Sequence, residues 1–189
     1  MSALVDGALD AAGLAPLAAA RRGGDYALVH VLAGALETAD LLVVGALADA
    51  LRKEEVGDVV RVFANVEADR APEVVLVDGA PGLPLLRRIA IARIVSPKGA
   101  RVRVDWAEIG LDLAQVALGF GASELVGPIA NRRGLPIAES STLKVKGAGM
   151  VSVQALKRRE LDALLATAGR RAVFAPCRVD AVSSEAPHA

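Results

Sequence analysis

The chain has 189 residues, 53% hydrophobic but only 3% aromatic, with 22 basic and 22 acidic side chains and no net formal charge. That is ample material for one packed domain built on Leu, Val, Ile and Ala, and the charge balance gives no electrostatic case for nucleic acid or an anionic membrane. One cysteine, Cys177, and two histidines, His30 and His188, exclude an internal disulfide framework and leave no basis for a metal or iron–sulfur cofactor.

The N-terminal stretch has an apolar middle, yet Asp6 and Asp10 stand where a signal peptide carries positive charge, and Arg21 and Arg22 come after the apolar part. No uncharged apolar run reaches the roughly 20 residues of a membrane span. A cytoplasmic protein without membrane or nucleic-acid partners is expected.

Residues 1–24 read as an Ala-rich, Pro-interrupted helical appendage that stops at Gly23 and Gly24. Leu28, Val31, Leu32 and Ala35 then recur at helical spacing, and Thr38 is a candidate N-cap for a helix burying Leu41, Val44, Ala48 and Leu51. Gly57 fits the left-handed position after that helix. Residues 58–66 and 73–78 are valine-rich strand candidates, separated by a polar stretch and followed by a Gly-Ala-Pro-Gly turn. Residues 83–95 read as a helix with Arg87, Arg88 and Arg93 at its edges, closed by Pro97.

Val102, Val104 and Trp106 alternate with Arg101, Arg103 and Asp105, a period of two that predicts a strand. Asp105 and Glu108 have capping-box spacing, and Ile109, Leu113, Val116 and Phe120 form the stripe of a following helix. Residues 123–127 suit a short strand. Residues 131–134 are a polar loop, and 138–151 carry no clear periodicity. Leu161, Leu164, Leu165 and Ala168 mark a final helix stopped by Gly169, then residues 172–179 suit a closing strand and 180–189 a disordered tail. No repeat or linker divides the chain, so residues 1–189 are expected to form a single domain.

Three segments, residues 37–65, 83–129 and 147–179, resemble the radical S-adenosylmethionine enzymes of the futalosine route to menaquinone: aminofutalosine synthase and dehypoxanthine futalosine cyclase, relatives of the deazaflavin synthases. The middle segment is the most specific, with Trp106 at a strand end and the Leu113-Ala114-Gln115 and Phe120-Gly121-Ala122 runs in place. The family holds its cluster on a C-x3-C-x2-C loop after the first strand, whereas residues 65–70 here contain no cysteine. Cluster-dependent cleavage of S-adenosylmethionine is therefore excluded for this chain alone. The family's polar pair is replaced by Ser123 and Glu124, and its paired histidines by residues 143–146.

A complete (β/α)8 barrel takes ~250 residues. The resemblance therefore implies an α/β fold with a shortened, partial TIM-barrel-like sheet of about four or five strands and flanking helices. Such an open sheet leaves edges and an interior face uncovered, so a homodimer or a complex with a full-length relative is expected.

Asp105, Glu108 and Glu124 are candidate acid/base residues at strand ends, and Trp106 and Ser123 candidate ligand contacts. Each has a plainer reading: the carboxylates as caps and turns, Trp106 as packing, Ser123 as a polar turn. Ser140, Ser141 and Thr142 with Lys144 and Lys146, and Gly147 with Gly149, read more simply as a solvated loop. Cys177 reads as structural and His30 as a core or interface residue. The leading expectation is a non-catalytic relative, a pseudoenzyme of menaquinone biosynthesis, that binds a pathway metabolite or partner enzyme. The alternatives are a small metal-free acid/base enzyme, or a structural subunit without a ligand.

Overall fold

A computed structural model describes residues 3–64, 74–130, 142–145, 149–152 and 156–175. In chain order the elements are α1 (Ala3–Ala11), α2 (Ala15–Gly23), α3 (Tyr26–Leu32), α4 (Ala35–Thr38), α5 (Leu41–Val56), β1 (Val59–Phe63), β2 (Val74–Leu76), α6 (Leu83–Val95) and β3 (Arg101–Asp105). They continue with α7 (Trp106–Ile109), α8 (Leu111–Leu118), β4 (Glu124–Val126), β5 (Ile129–Ala130), β6 (Thr142–Val145), β7 (Gly149–Ser152), β8 (Leu156–Lys157), α9 (Arg158–Thr167) and β9 (Arg171–Phe174).

The main sheet has five parallel strands in the order β2-β3-β4-β1-β9. This is the α/β, partial-barrel-like sheet the sequence leads one to expect, with one departure from a simple succession. β1 stands between β4 and β9, so the chain passes over it through α9 on its way to the last strand. β5 and β8 pair in parallel, and β6 and β7 form an antiparallel pair within the stretch that lacked periodicity.

Strand parity decides what each face carries. Val60, Val62, Val102, Val104 and Leu125 point to one side and pack with Leu85, Leu86 and Ile89 of α6, Ala114, Ala117 and Leu118 of α8, and Leu161 and Leu165 of α9. The registers align Arg61, Glu124 and Arg103 across three strands on the opposite face. That face is not bare: Phe63, Arg103, Glu124 and Val126 are buried. Glu124 neutralises part of the arginine charge, and the Arg103 guanidinium lies 4.3 Å from the centre of the Phe63 ring. Among the described residues the two edge strands, β2 and β9, have one neighbour each, with Leu76 54% and Val173 39% exposed.

A second core lies outside the first. Leu9, Leu14, Leu17 and Ala18 from the N-terminal helices join Leu36, Val44, Leu47, Ala48 and Leu51 against Ala90 and Ile94 of α6. The N-terminal stretch thus adds a helical layer over α5 and α6.

Several local expectations shift. Asp40, not Thr38, caps α5, its carboxylate accepting from the amides of Leu42 and Val43. The short α3 turns Val29 inward and leaves Leu28 and Val31 exposed, and His30 is exposed as well. Gly110, with φ of 85°, breaks the helix expected after β3 into α7 and α8. The break resets the helical phase, so Ala114, Ala117 and Leu118 are buried while Val116 is 48% exposed.

Arg93 is the largest departure. It is fully buried, not an edge residue, and it donates to the carbonyls of Ala100 and Gly121, to the Ser123 hydroxyl and to Glu55. Burial lowers its pKa to about 10 against the opposing pull of Glu55, with Arg21 and Arg52 lowering it further, so it stays charged at neutral pH. Arg21 enters the same network through the Ile94 carbonyl, the Tyr26 hydroxyl and the other Glu55 oxygen.

Glu55→Gln would leave two buried guanidinium groups without their carboxylate. It is expected to cost about 3–5 kcal/mol, whereas Glu54→Gln, which breaks a partly exposed 3.6 Å pair with Arg22, is expected to cost under about 1 kcal/mol. Urea denaturation of the two variants checks the contrast.

Candidate functional site

The C-terminal ends of parallel strands are where α/β sheets place ligand sites. Here the ends of β2, β3 and β4 enclose a cleft of about 120 Å³ lined by Leu76, Val77, Asp78, Arg103, Asp105, Glu108 and Val126. The loop after β2 supplies Asp78, the last residue of β3 supplies Asp105, and α7 supplies Glu108. Two of the three carboxylates expected from the sequence therefore meet in one cleft, joined by Asp78.

Asp105 is half-buried and accepts from the Ala107 amide at 2.7 Å, capping α7. Burial raises its pKa above the usual carboxylate range, and the nearby Glu108 charge adds to the rise against the backbone donors of Ala107 and Glu108. Among the described residues, the carboxylates of Asp78 and Glu108 have no hydrogen-bond or ion-pair partner. Asp78 itself is fixed through its carbonyl, which accepts from the Arg88 guanidinium.

The third carboxylate is elsewhere. Glu124 is fully buried opposite Arg103 in the register, where Arg103 donates from Nε at 2.9 Å and Nη2 at 2.6 Å. Arg61 and Arg101 approach its other oxygen at 3.2 Å and 3.1 Å. With its oxygens taken up by three guanidinium groups, Glu124 is the counter-charge of the polar face and does not line the cleft.

The two expected ligand contacts also lie apart from it. Trp106 is fully buried with the parity of Val102 and Val104, on the helix-covered face opposite Asp105. Its ring packs on Gly127 so closely that a Cβ there would lie 2.3 Å from the indole. Ser123 stands at the opposite end of β4, where its hydroxyl accepts from Arg93 at 2.8 Å and from the Val102 amide at 3.2 Å.

Asp78 and Arg103 were missed as cleft residues. A signal for Asp78 was present: the strand candidate 73–78 ends on aspartate. Nothing local marked Arg103, because its place depends on which strand lies beside it. Ser140, Ser141, Lys146, Gly147, Cys177 and His188 lie outside the described residues. Thr142, Lys144 and Gly149 belong to the β6–β7 pair. Among the described residues, no group of His, Cys, Asp and Glu side chains is arranged to hold a metal ion, and no helix is long and apolar enough to cross a membrane.

No family model and no curated protein matches the chain.

Because the folded-state pKa of Asp105 is raised, the folded form holds its proton longer than the unfolded chain. The associated stability is present below the usual aspartate value and is lost as pH rises through the raised one. Asp105→Asn is expected to remove that part of the decline, so that thermal melts across pH 3.5–7 fall less steeply with rising pH than those of the wild type.

Proposed function

We propose that this protein is a non-catalytic small-molecule-binding member of a partial-barrel architecture, with its ligand seated at the strand ends beside Asp105. The observation that carries this reading is the cleft itself. It occupies the ligand end of the sheet, and it gathers Asp78 and Glu108, whose carboxylates lack partners among the described residues. Three carboxylates select hydrogen-bond donors or a cation, such as a sugar diol or an amine.

Size bounds the ligand. A cleft of about 120 Å³ lies below the roughly 300 Å³ at which pockets begin to enclose a drug-sized molecule. It would hold a sugar-sized group and leave the remainder outside. The resemblance of residues 37–65, 83–129 and 147–179 makes futalosine-type nucleosides the first compounds to test, with the ribose as the group placed in the cleft.

Calorimetric titration of the wild type and an Asp105→Asn/Glu108→Gln variant with futalosine-type nucleosides and with ribose tests the reading. Saturable binding that weakens at least about ten-fold in the variant is expected, since two charge-assisted contacts are lost. Heats equal to those of dilution for every compound would overturn it. The acid/base reading draws on one observation, the raised pKa of Asp105 within hydrogen-bonding surroundings that include Glu108. Turnover of a bound compound that disappears in Asp105→Asn while binding persists would favour that reading instead.

The proposal includes a second copy of the chain, or a longer relative, along an open sheet edge. Support comes from the exposed Leu76 on β2 and Val173 on β9, apolar side chains on strands that pair on one side among the described residues. Light scattering at micromolar concentration is expected to give the mass of a dimer, and a monodisperse monomer counts against self-association.

A further inference from the structure

Away from the cleft, the start of α6 and the start of α5 border an open groove of about 590 Å³, within the range of roughly 300–1,000 Å³ that accommodates small organic ligands. Leu41, Leu83, Pro84 and Leu85 give it an apolar lining, and Leu83 is 67% exposed.

The charges on this groove are equally specific. Arg87 and Arg88 both line it, and each guanidinium is held in place by backbone carbonyls. Arg87 donates through Nη1 alone, at 2.6 Å to Leu36 and 2.9 Å to Ala39. Arg88 donates through Nη2 alone, to Asp78, and packs against Gly79. Among the described residues, the remaining nitrogens of both forks have no acceptor. Glu37 is the one acidic side chain of the lining, and it forms no ion pair with either arginine among the described residues. The groove therefore carries an excess positive charge, and the positive end of the thirteen-residue α6 adds to it.

We infer that this groove binds a small amphipathic carboxylate, with its apolar body on Leu41, Leu83 and Pro84 and its carboxylate on the free donors of Arg87 and Arg88. Anchoring each arginine by one nitrogen fixes the fork before the ligand arrives, which lowers the ordering cost of binding. The planar fork then matches a carboxylate geometrically as well as electrostatically. The groove and the strand-end cleft share no lining residue, but Arg88 links them by holding the Asp78 carbonyl, and the carboxylates of the cleft select the opposite charge.

The test is an amide-resolved NMR titration of the full chain with octanoate, alongside octanol and octylammonium as probes of the same apolar body. Saturable shifts confined to residues 36–42 and 79–88 are expected for octanoate, with affinity at least about ten-fold above that for either control. Arg88→Gln is expected to weaken octanoate at least about ten-fold and to leave octanol unchanged. Leu83→Asp, at an exposed position where folding tolerates a charge, is expected to abolish binding of octanoate. Equal affinity for all three probes, shifts scattered over the surface, or no saturation by 10 mM would each overturn the inference.

Discussion

The fold depends on a buried ion network at the N-terminal end of the sheet. Arg93 reaches from α6 to the backbone just before β3 and just before β4, and Glu55 brings α5 to the same point. Arg21 ties in the N-terminal helices through Glu55 and the Ile94 carbonyl. A guanidinium has five donors in a fixed fork, so one side chain can satisfy several loop carbonyls that otherwise would be buried without partners. The cost is desolvation, visible in the lowered pKa of Arg93, and Glu55 offsets it only in part. Gly121 fits the same logic: its φ is 97°, and a Cβ there would lie 2.7 Å from the Arg93 Cβ.

That network separates the two ends of the sheet by task. At the N-terminal end Ser123, Arg93 and Glu55 are consumed by one another. At the C-terminal end the loop after β2 brings Asp78, β3 finishes on Asp105, and α7 adds Glu108. A row of charge lies between these ends, where Glu124 draws arginines from two strands onto the face opposite the helices. The buried Glu124 carboxylate is paired there with Arg103, Arg61 and Arg101, as a low-dielectric surrounding demands. Asp78 and Glu108 at the strand ends, and Arg87 and Arg88 at the start of α6, keep spare hydrogen-bonding capacity among the described residues.

Much of the secondary structure was legible in the chain. The helix at 83–95 and the strand at 101–105 follow from periodicity, with Gly82 and Pro97 as their outer limits. The errors are of one physical kind. Thr38 and Asp40 are both competent caps, and only the geometry of the preceding turn chooses between them. The helical stripe through Val116 failed because Gly110 turns the chain through a positive φ, and periodicity cannot be carried across such a break. Arg93 was placed at an edge because an arginine in isolation is costly to bury, whereas its acceptors come from α5 and from the loops before β3 and β4.

The candidate site shows the same division. The sequence offered Asp105 and Trp106 alike as residues of one site, and the structure places Trp106 on the helix-covered face, away from the cleft that Asp105 lines. The sequence by itself determined the helix cap at Asp105 and the absence of a thiolate set for an iron–sulfur cluster. Only the tertiary structure decided that β1 lies beside β4, which brings Arg61 to Glu124 and removes that carboxylate from the cleft. It alone also set β2 beside β3, which adds Asp78 to Asp105. The reason is that local pattern fixes which way a side chain points, while the partner that it meets depends on strand order, and strand order is set by contacts distant in sequence.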